Sequence, residues 1–194
     1  MGAGGVGGTY AWWFDSGRVC LDLLATRTRS EELLSSPGRL GEWLAGSGLL
    51  PAGTRLRGAD DEWVLRVCQL RECIRELLAT GRSSEAALEQ VNALAAVPPP
   101  APRAVRAPDG SLVRALAAEP RCEQLLAAVA RDAVALLTDP AARNALRRCE
   151  GDHCPRLYLD TSRGHRRRWC SSEVCGNRER VARHRRRAAV AAQS

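Results

Sequence analysis

The sequence predicts a mainly α protein with a small β-hairpin, in which a helical N-terminal domain precedes a compact C-terminal finger. Apolar residues recur at three- to four-residue spacing over most of the first 140 residues, which is typical of amphipathic helices. Four cysteines form two close pairs near the C-terminus, and arginines concentrate around them. The 194 residues, of which 45% are hydrophobic and 26% charged, suffice for one domain of ordinary size and a smaller unit.

The expected organisation is a flexible, glycine-rich segment at 1–8, a helical domain at 9–142 and a finger at 143–190. The first residues have neither a basic n-region nor an apolar h-region, so they do not resemble a secretory signal. No apolar run approaches the ~18 residues of a membrane span. We therefore expect a cytoplasmic protein, whose thiols stay reduced.

The first half of the helical domain contains a short and a long helix. Trp12 and Trp13 are predicted to be core residues rather than walls of a ligand pocket, because the chain is only 4% aromatic. Ser36 is predicted to cap a short helix whose first residue is Pro37, and Gly46 and Gly48 are predicted to end that helix.

A longer helix is predicted over Asp60 to Gly81, followed by another over Ser84 to Val97, because apolar residues recur along both with helical spacing. Cys68 and Cys73 lie five residues apart on the first of these helices. They point about 140° apart around its axis, so we expect free thiols rather than a shared metal.

The proline run PPPAP at 98–102 ends the helical pattern, and a hairpin is predicted near 103–116 around Pro-Asp-Gly. A helix is then predicted over Cys122 to Leu137. It stops near Asp139-Pro140 and resumes from Ala141 to Arg148, which leads directly into the first cysteine of the finger.

The cysteine pairs have the spacing C-x4-C-x15-C-x4-C. Two close pairs joined by a short loop can occupy the four corners of a tetrahedral zinc site, and thiolates favour zinc over magnesium or calcium. We predict one structural Zn²⁺ per chain, with ligands Cys149, Cys154, Cys170 and Cys175. His153 as a ligand, four unrelated thiols, and a redox-switched zinc site are the alternatives.

Around this site the sequence predicts a β-hairpin followed by a helix. Residues 156–160 (RLYLD) alternate like a strand, residues 161–165 have turn chemistry, and residues 166–170 (RRRWC) are predicted to return antiparallel. Asn177 is expected to cap the following helix, whose inner face would hold Val181, Ala188 and the stem of Arg185. This order corresponds to a zinc-ribbon or treble-clef-like finger.

The excess of positive over negative charge lies entirely in this finger. Residues 143–187 hold 14 arginines and 5 acidic residues, whereas the rest of the chain holds 15 arginines and 17 acidic residues. Such an imbalance attracts polyanions, most often nucleic acid and more rarely an anionic membrane surface. A merely solubilising tail is the alternative.

The finger resembles a known family in its motifs. C-x4-C, LYLDTSRGHRRRWC and Cys175-Gly176-Asn177-Arg178 resemble the CGNR zinc finger, while GRVCLDLLATR and LGEWLAGSGLL are similar to the ABATE domain of stress-induced transcription regulators. Ala25 stands where that family tends to carry asparagine. The resemblance implies DNA binding and transcription control.

Duplex DNA is the expected partner, because an arginine-rich helix fits the major groove while hairpin arginines hold phosphates. Tyr158 and Trp169 are expected to cover the zinc core rather than to stack RNA bases. The predicted nucleic-acid contacts are Arg163, Arg166, Arg167, Arg168, Asn177, Arg178, Arg180, Arg183 and Arg187.

The N-terminal domain is expected to dimerise the protein, to sense a small-molecule effector, or both. The alternative is a zinc-dependent protein-interaction or RNA-binding module that responds to redox through its cysteines. An enzyme is not expected, because the sequence has no phosphate-binding glycine loop and no nucleophile elbow. A zinc shell of four cysteines also leaves no open coordination position.

Overall fold

The structure is a computed structural model that describes residues 12–28, 31–51, 53–54, 56–79, 84–152 and 154–191. The predictions on residues 1–8, Gly81 and His153 fall outside the described residues. About half of the chain is helical, and two small antiparallel hairpins accompany the helices, so the predicted fold class is confirmed. The elements are α1 (Val19–Leu24), α2 (Pro37–Gly46), α3 (Asp61–Leu78), α4 (Glu85–Ala96), β1 (Pro102–Arg106), β2 (Leu112–Leu116), α5 (Cys122–Thr138), α6 (Pro140–Ala145), β3 (Leu146–Arg148), β4 (Leu157–Leu159) and α7 (Cys175–Ala191).

Three helices begin next to the residues at which the sequence predicts their starts, and Ser36 is the one N-cap among them that the sequence predicts. The Ser36 hydroxyl accepts a hydrogen bond from the Arg39 backbone N–H at 3.3 Å, and the Asp60 carboxylate accepts one from Trp63 at 3.0 Å. Ser84 accepts one from Ala87 at 3.4 Å. Each cap satisfies a backbone donor that the first helical turn leaves free, which fixes where the helix starts.

The core of the helical domain forms where α1, α3, α4 and α5 meet. Leu70 and Ile74 of α3, Val91 of α4 and Leu136 of α5 are fully buried there. Trp12 and Phe14 pack against the rim of this core and remain partly exposed. Alanine and leucine therefore supply most of the packing, as expected from a chain with few aromatic residues.

A guanidinium group is buried inside the helical domain. The Arg71 guanidinium, 2% exposed, donates hydrogen bonds to both carboxylate oxygens of Glu32 and to the Thr26 hydroxyl. This bidentate pair joins α3 to the segment after α1 and leaves the buried charge fully partnered. The sequence carries no local signal for this pair, because the partners of Arg71 lie 39 and 45 residues away.

The predicted hairpin at 103–116 is confirmed. Strands β1 and β2 pair antiparallel from Pro102 opposite Leu116 to Arg106 opposite Leu112. Gly110 closes the turn at φ +85°, a conformation that favours glycine.

The prediction of a helix over 141–148 is wrong at its end. Helix α6 ends at Ala145, and Leu146–Arg148 forms strand β3, which pairs antiparallel with β4. The pairing satisfies the backbone groups of both short segments and places Leu146 and Leu159 against the helical core. A three-residue strand is too short for its periodicity to be distinguished from helix in the sequence.

The partner predicted for strand β4 is also wrong, since β4 pairs with β3 and residues 166–170 are not a strand. The returning segment is instead held by single bonds. The Arg167 N–H donates to the Asp160 carboxylate at 3.0 Å, and the Arg168 carbonyl accepts from the Glu150 N–H at 2.9 Å. One backbone-to-side-chain bond and one backbone-to-backbone bond thus replace the second strand pairing.

Strand β4 connects the two halves of the molecule. Leu157 and Leu159 pack against the helical core, whereas Tyr158 between them points to the cysteine cluster and is fully buried. The Leu159 N–H also donates to the Ser16 carbonyl at 2.8 Å. The alternating faces of one strand therefore serve two different cores. Among the helices that the structure describes, none combines the length and apolar composition required to cross a bilayer.

Candidate metal centre and basic surface

The four cysteines of the finger converge on one point. Their sulfur atoms all lie within 4.8 Å of one another, with 3.8 Å between Cys154 and Cys170 and 3.6 Å between Cys170 and Cys175. Sulfurs bound at ~2.3 Å to a tetrahedral zinc lie about 3.8 Å apart, whereas a disulfide requires about 2.05 Å. The cluster therefore has the donor set and the spacing of a structural zinc site.

The first cysteine pair lies on the loop between β3 and β4. Cys149 directly follows β3, and its N–H donates to the Arg156 carbonyl at 2.9 Å, which extends the pairing by one step. The Cys154 N–H then donates to the Gly151 carbonyl at 3.0 Å. The loop is thus a tight turn that points both sulfurs to the same side.

The second pair lies on the turn that leads into α7. The Ser171 hydroxyl accepts from the Glu173 and Val174 N–H groups, each at 3.1 Å, and the Ser171 carbonyl accepts from Gly176 at 2.8 Å. Cys175 is consequently the first residue of α7. The prediction that Asn177 caps this helix is wrong, because the turn built by Ser171 starts the helix two residues earlier.

Backbone N–H groups support the sulfur of Cys149. Gly151 donates to it at 3.4 Å and Cys170 at 3.3 Å. A Cβ at Gly151 would lie 3.2 Å from the Cys175 Cβ and 3.4 Å from its sulfur, so a side chain there would displace the loop or Cys175 by a few tenths of an ångström. Gly151 is absent from the predicted site residues, and its place inside the C-x4-C spacer is the one signal that the sequence gives for it.

The thiols differ in their acidity. Hydrogen bonding, first from Cys170, lowers the pKa of Cys154 to about 5. The same Cys154 hydrogen bond and burial raise the pKa of Cys170, and burial raises the pKa of Cys175 to about 11. A metal ion that binds these sulfurs must therefore displace protons, which makes its affinity dependent on pH.

Aromatic residues cover the cluster as predicted. Tyr158 is fully buried against the cysteines, and Trp169 packs partly buried beside them. The Arg167 guanidinium lies 4.7 Å from the centre of the Tyr158 ring and donates to the carbonyls of Trp169 and Cys170. The donors of Arg167 are thus directed at the finger's own backbone.

Asp160 organises the loop between β4 and the second cysteine pair. Its carboxylate is buried and accepts hydrogen bonds from the Ser162 hydroxyl at 2.6 Å and the Ser162 N–H at 3.0 Å. The Ser162 bonds hold the pKa of Asp160 below its usual range. This loop displays Arg163, and its His165 lies exposed at φ +47°. The sequence predicts a turn at 161–165 but gives no sign that Asp160 holds it together.

Apart from Arg167, the residues predicted to contact nucleic acid are exposed wherever the structure describes their side chains. These residues are Arg163, Arg166, Arg168, Asn177, Arg178, Arg180 and Arg183. Arg168 pairs with Glu150 at 2.6 Å, and Arg180 donates to the Ser172 carbonyl at 3.2 Å. The Arg187 side chain lies outside the described part of the chain.

Helix α7 has little packing beyond its first turn. Between 177 and 186, Glu179 and Ala182 are half-buried and the remaining residues are exposed. Val181, predicted to face inward, is 42% exposed, because no element of the described chain packs over that side. The Glu179 carboxylate accepts from the Asp152 N–H at 3.3 Å, which ties the start of the helix to the first cysteine loop.

A cleft separates the helical domain from the finger. It has a volume of about 480 Å³, and its walls come from the ends of α1 and α3 on one side and from the cysteine loops on the other. Ala25, the C-cap of α1, lines it, as do Cys154 and Cys175. Five arginines share its surface: Arg27, Arg75, Arg148, Arg156 and Arg178.

Comparison with protein-family models gives two matches. Residues 17–140 match the ABATE model, described as a putative stress-induced transcription regulator, and residues 145–188 match the CGNR zinc finger. Both agree with the resemblance carried by the sequence motifs. Together with the four-sulfur cluster, the second match indicates zinc as the metal that these cysteines would hold. Comparison with curated proteins gives no match.

Proposed function

The chain belongs to the ABATE family of putative stress-induced transcription regulators, and from this membership we propose that it binds duplex DNA through its finger. One observation carries the proposal. Two arginine-rich segments, the loop before Cys170 and the helix that starts at Cys175, are joined at the same four-sulfur cluster. One zinc ion there would fix both segments relative to each other.

The exposed arginines divide into two groups. Arg180 and Arg183 lie on α7, whose diameter fits the major groove, where an arginine fork pairs with guanine. Arg163 and Arg166 lie on the loop before Cys170, where they would hold phosphates. Asn177, Arg168, Arg178 and Arg187 complete the proposed surface. We assign Arg167 to bracing the finger, because its donors bind backbone carbonyls.

The proposal is tested by fluorescence anisotropy with the full, zinc-loaded chain and a random-sequence duplex. If about six phosphates are contacted, log K should fall with log salt with a slope of about −5. Arg163→Gln/Arg166→Gln, which removes two proposed phosphate contacts, should weaken binding and reduce that slope by about 2 while zinc content stays the same. Cys170→Ser should abolish binding.

A matched control separates DNA contact from general charge. Arg103→Gln/Arg143→Gln removes the same charge from exposed positions outside the finger helix, and it should leave duplex affinity almost unchanged. Absence of duplex binding at low salt, or equal losses in both double variants, would contradict the proposal. Binding to single-stranded RNA but not to duplex DNA would instead support the RNA-binding alternative. A homodimer and a cytoplasmic location stay predictions.

A further inference from the structure

We propose that the cleft between the helical domain and the finger binds a small anionic molecule that also has an apolar portion. Its volume of about 480 Å³ falls within the range of small-molecule sites, roughly 300–1,000 Å³. The site itself is independent of DNA binding, whereas the role of its occupant as an effector rests on the proposed function.

The apolar part of the wall comes from both units. Leu24 and Leu78, at the ends of α1 and α3, face Pro155 and Val174 of the two cysteine loops. An occupant would therefore contact the helical domain and the finger at the same time. Such a position between two packed units is where ligand sites occur preferentially.

The charge of the cleft favours an anion. Asp152 is the one carboxylate among the described residues that line it, against five arginines. Arg27 and Arg75 pair with Glu32 and Glu72, which lie off its wall. The other three, within the described residues, form no ion pair: Arg148, Arg156 and Arg178.

Two of these arginines are positioned by the fold. Arg148 ends β3 opposite Leu157, and Arg156 precedes β4, so both flank the loop end of the same hairpin. The Arg156 guanidinium lies over the Trp13 ring, 4.9 Å from its centre, which restrains it before any ligand arrives. Guanidinium groups bind carboxylate and phosphate in bidentate fashion, so the ligand would carry one of these groups.

The position of Arg178 links the cleft to the finger. Arg178 lies on the first turn of α7, three residues after Cys175, and belongs to the proposed DNA surface. An anion that engages Arg178 in the cleft withdraws it from a phosphate. By linkage, ligand and DNA would then weaken each other's binding.

The test uses the zinc-loaded full chain and calorimetric titration with two probes, phenyl phosphate and benzoate. Saturable binding of at least one probe, one per chain and with a Kd of ~1 mM or lower, is expected. Arg148→Gln/Arg156→Gln should weaken it about tenfold or more, since two charge-assisted hydrogen-bonding groups are lost. Zinc content and circular dichroism of the variant verify its fold.

Two controls make the result decisive. Arg103→Gln/Arg143→Gln removes equal charge outside the cleft and should leave probe affinity unchanged. Benzyl alcohol, which has a similar ring but no charge, should bind far more weakly. Absence of saturable binding for both probes, an equal loss in the control variant, or equally tight binding of benzyl alcohol would overturn the proposal.

A DNA phosphate carries the same negative charge and hydrogen-bond acceptors as the probes, so duplex affinity is measured on the same variants. Arg148→Gln/Arg156→Gln should keep the duplex affinity of the wild type while losing the probe. If duplex and probe affinity fall together, the cleft is part of the DNA surface and the small-ligand proposal is wrong. If the wild type binds the probe but no duplex, the proposed DNA binding fails and the cleft site stands.

Discussion

At the scale of single residues, close approach and burial decide which positions matter most. A Cβ at Gly151 would meet the Cys175 Cβ at 3.2 Å, which is tighter than ordinary van der Waals contact, whereas a Cβ at Gly176 of the CGNR motif would meet its neighbours at 3.4 Å or more. The buried Asp22 carboxylate accepts a hydrogen bond from the Ser16 hydroxyl at 2.6 Å. The carbonyl of the same Ser16 accepts the backbone hydrogen bond from Leu159 of strand β4. Neither Gly151 nor Asp22 stands out as a functional residue in the sequence.

Gly151→Ala should weaken zinc binding about tenfold or more, as disturbing the groups that support metal ligands commonly does. The added methyl meets the Cβ and sulfur of Cys175, which cannot move without leaving the cluster. Competition with a chromophoric chelator measures the affinity. Gly176→Ala is the matched control and should retain near wild-type affinity. A larger loss of zinc affinity in Gly176→Ala than in Gly151→Ala would contradict the close contact between Gly151 and Cys175.

Asp22 should make stability dependent on pH. Burial raises its pKa from 3.8 to about 6, so between these values the folded chain holds a proton that the unfolded chain has released. Its contribution to stability is therefore fully present below about pH 4 and is lost as pH rises through about 6. From about pH 4.5 to 7.5 the loss amounts to ~2 kcal/mol.

The comparison with Asp22→Asn isolates this effect, because both chains share the same zinc ligands. The difference in free energy of unfolding between wild type and variant, measured with urea, should shift against the wild type by ~2 kcal/mol as pH rises. A difference that stays constant across this range would mean that Asp22 ionises normally.

At the scale of elements, local chemistry made most helices predictable and non-local pairing made the finger hairpin unpredictable. Ser36, Asp60 and Ser84 cap helices through groups three residues away, so their sequence signal is complete. Strands β3 and β4 have three residues each, and their pairing depends on the core that buries Leu159. The cysteine cluster was predictable because its spacing reflects the chemistry of a tetrahedral ion.

Helix α2 offers a paired test of packing. A Cβ at Gly46 would lie 2.4 Å from the Phe14 ring, whereas nothing lies within 4 Å of one at Gly41. Gly46→Ala should lower the free energy of unfolding by ~1–3 kcal/mol through overpacking. Gly41→Ala should raise it by ~0.5–1 kcal/mol, because alanine favours the helix more than glycine does. Urea unfolding measures both, and stabilisation by Gly46→Ala would contradict the contact with Phe14.

At the scale of the whole molecule, the two units share structure rather than standing side by side. Leu146, Leu157 and Leu159 of the finger hairpin pack against the helical core, while Tyr158 on the same strand packs against the cysteines. Ser16 of the helical domain accepts a backbone hydrogen bond from Leu159. Order in the finger and order in the helical domain therefore depend on one strand.

Removal of zinc should consequently destabilise the helical domain as well as the finger. Chelation or Cys170→Ser releases β4, and with it the apolar contacts of Leu157 and Leu159, so the thermal midpoint followed by helical circular dichroism should fall. Cys68→Ser/Cys73→Ser, which changes two thiols outside the cluster, should keep both the zinc and the chelator response. If the thermal midpoint of the helical signal is unchanged after chelation although the finger has lost its metal, the hairpin stays packed against the helical core without zinc. The cleft would then owe its shape to the helical core alone, because the apolar faces of β4 would suffice to seat the finger against it.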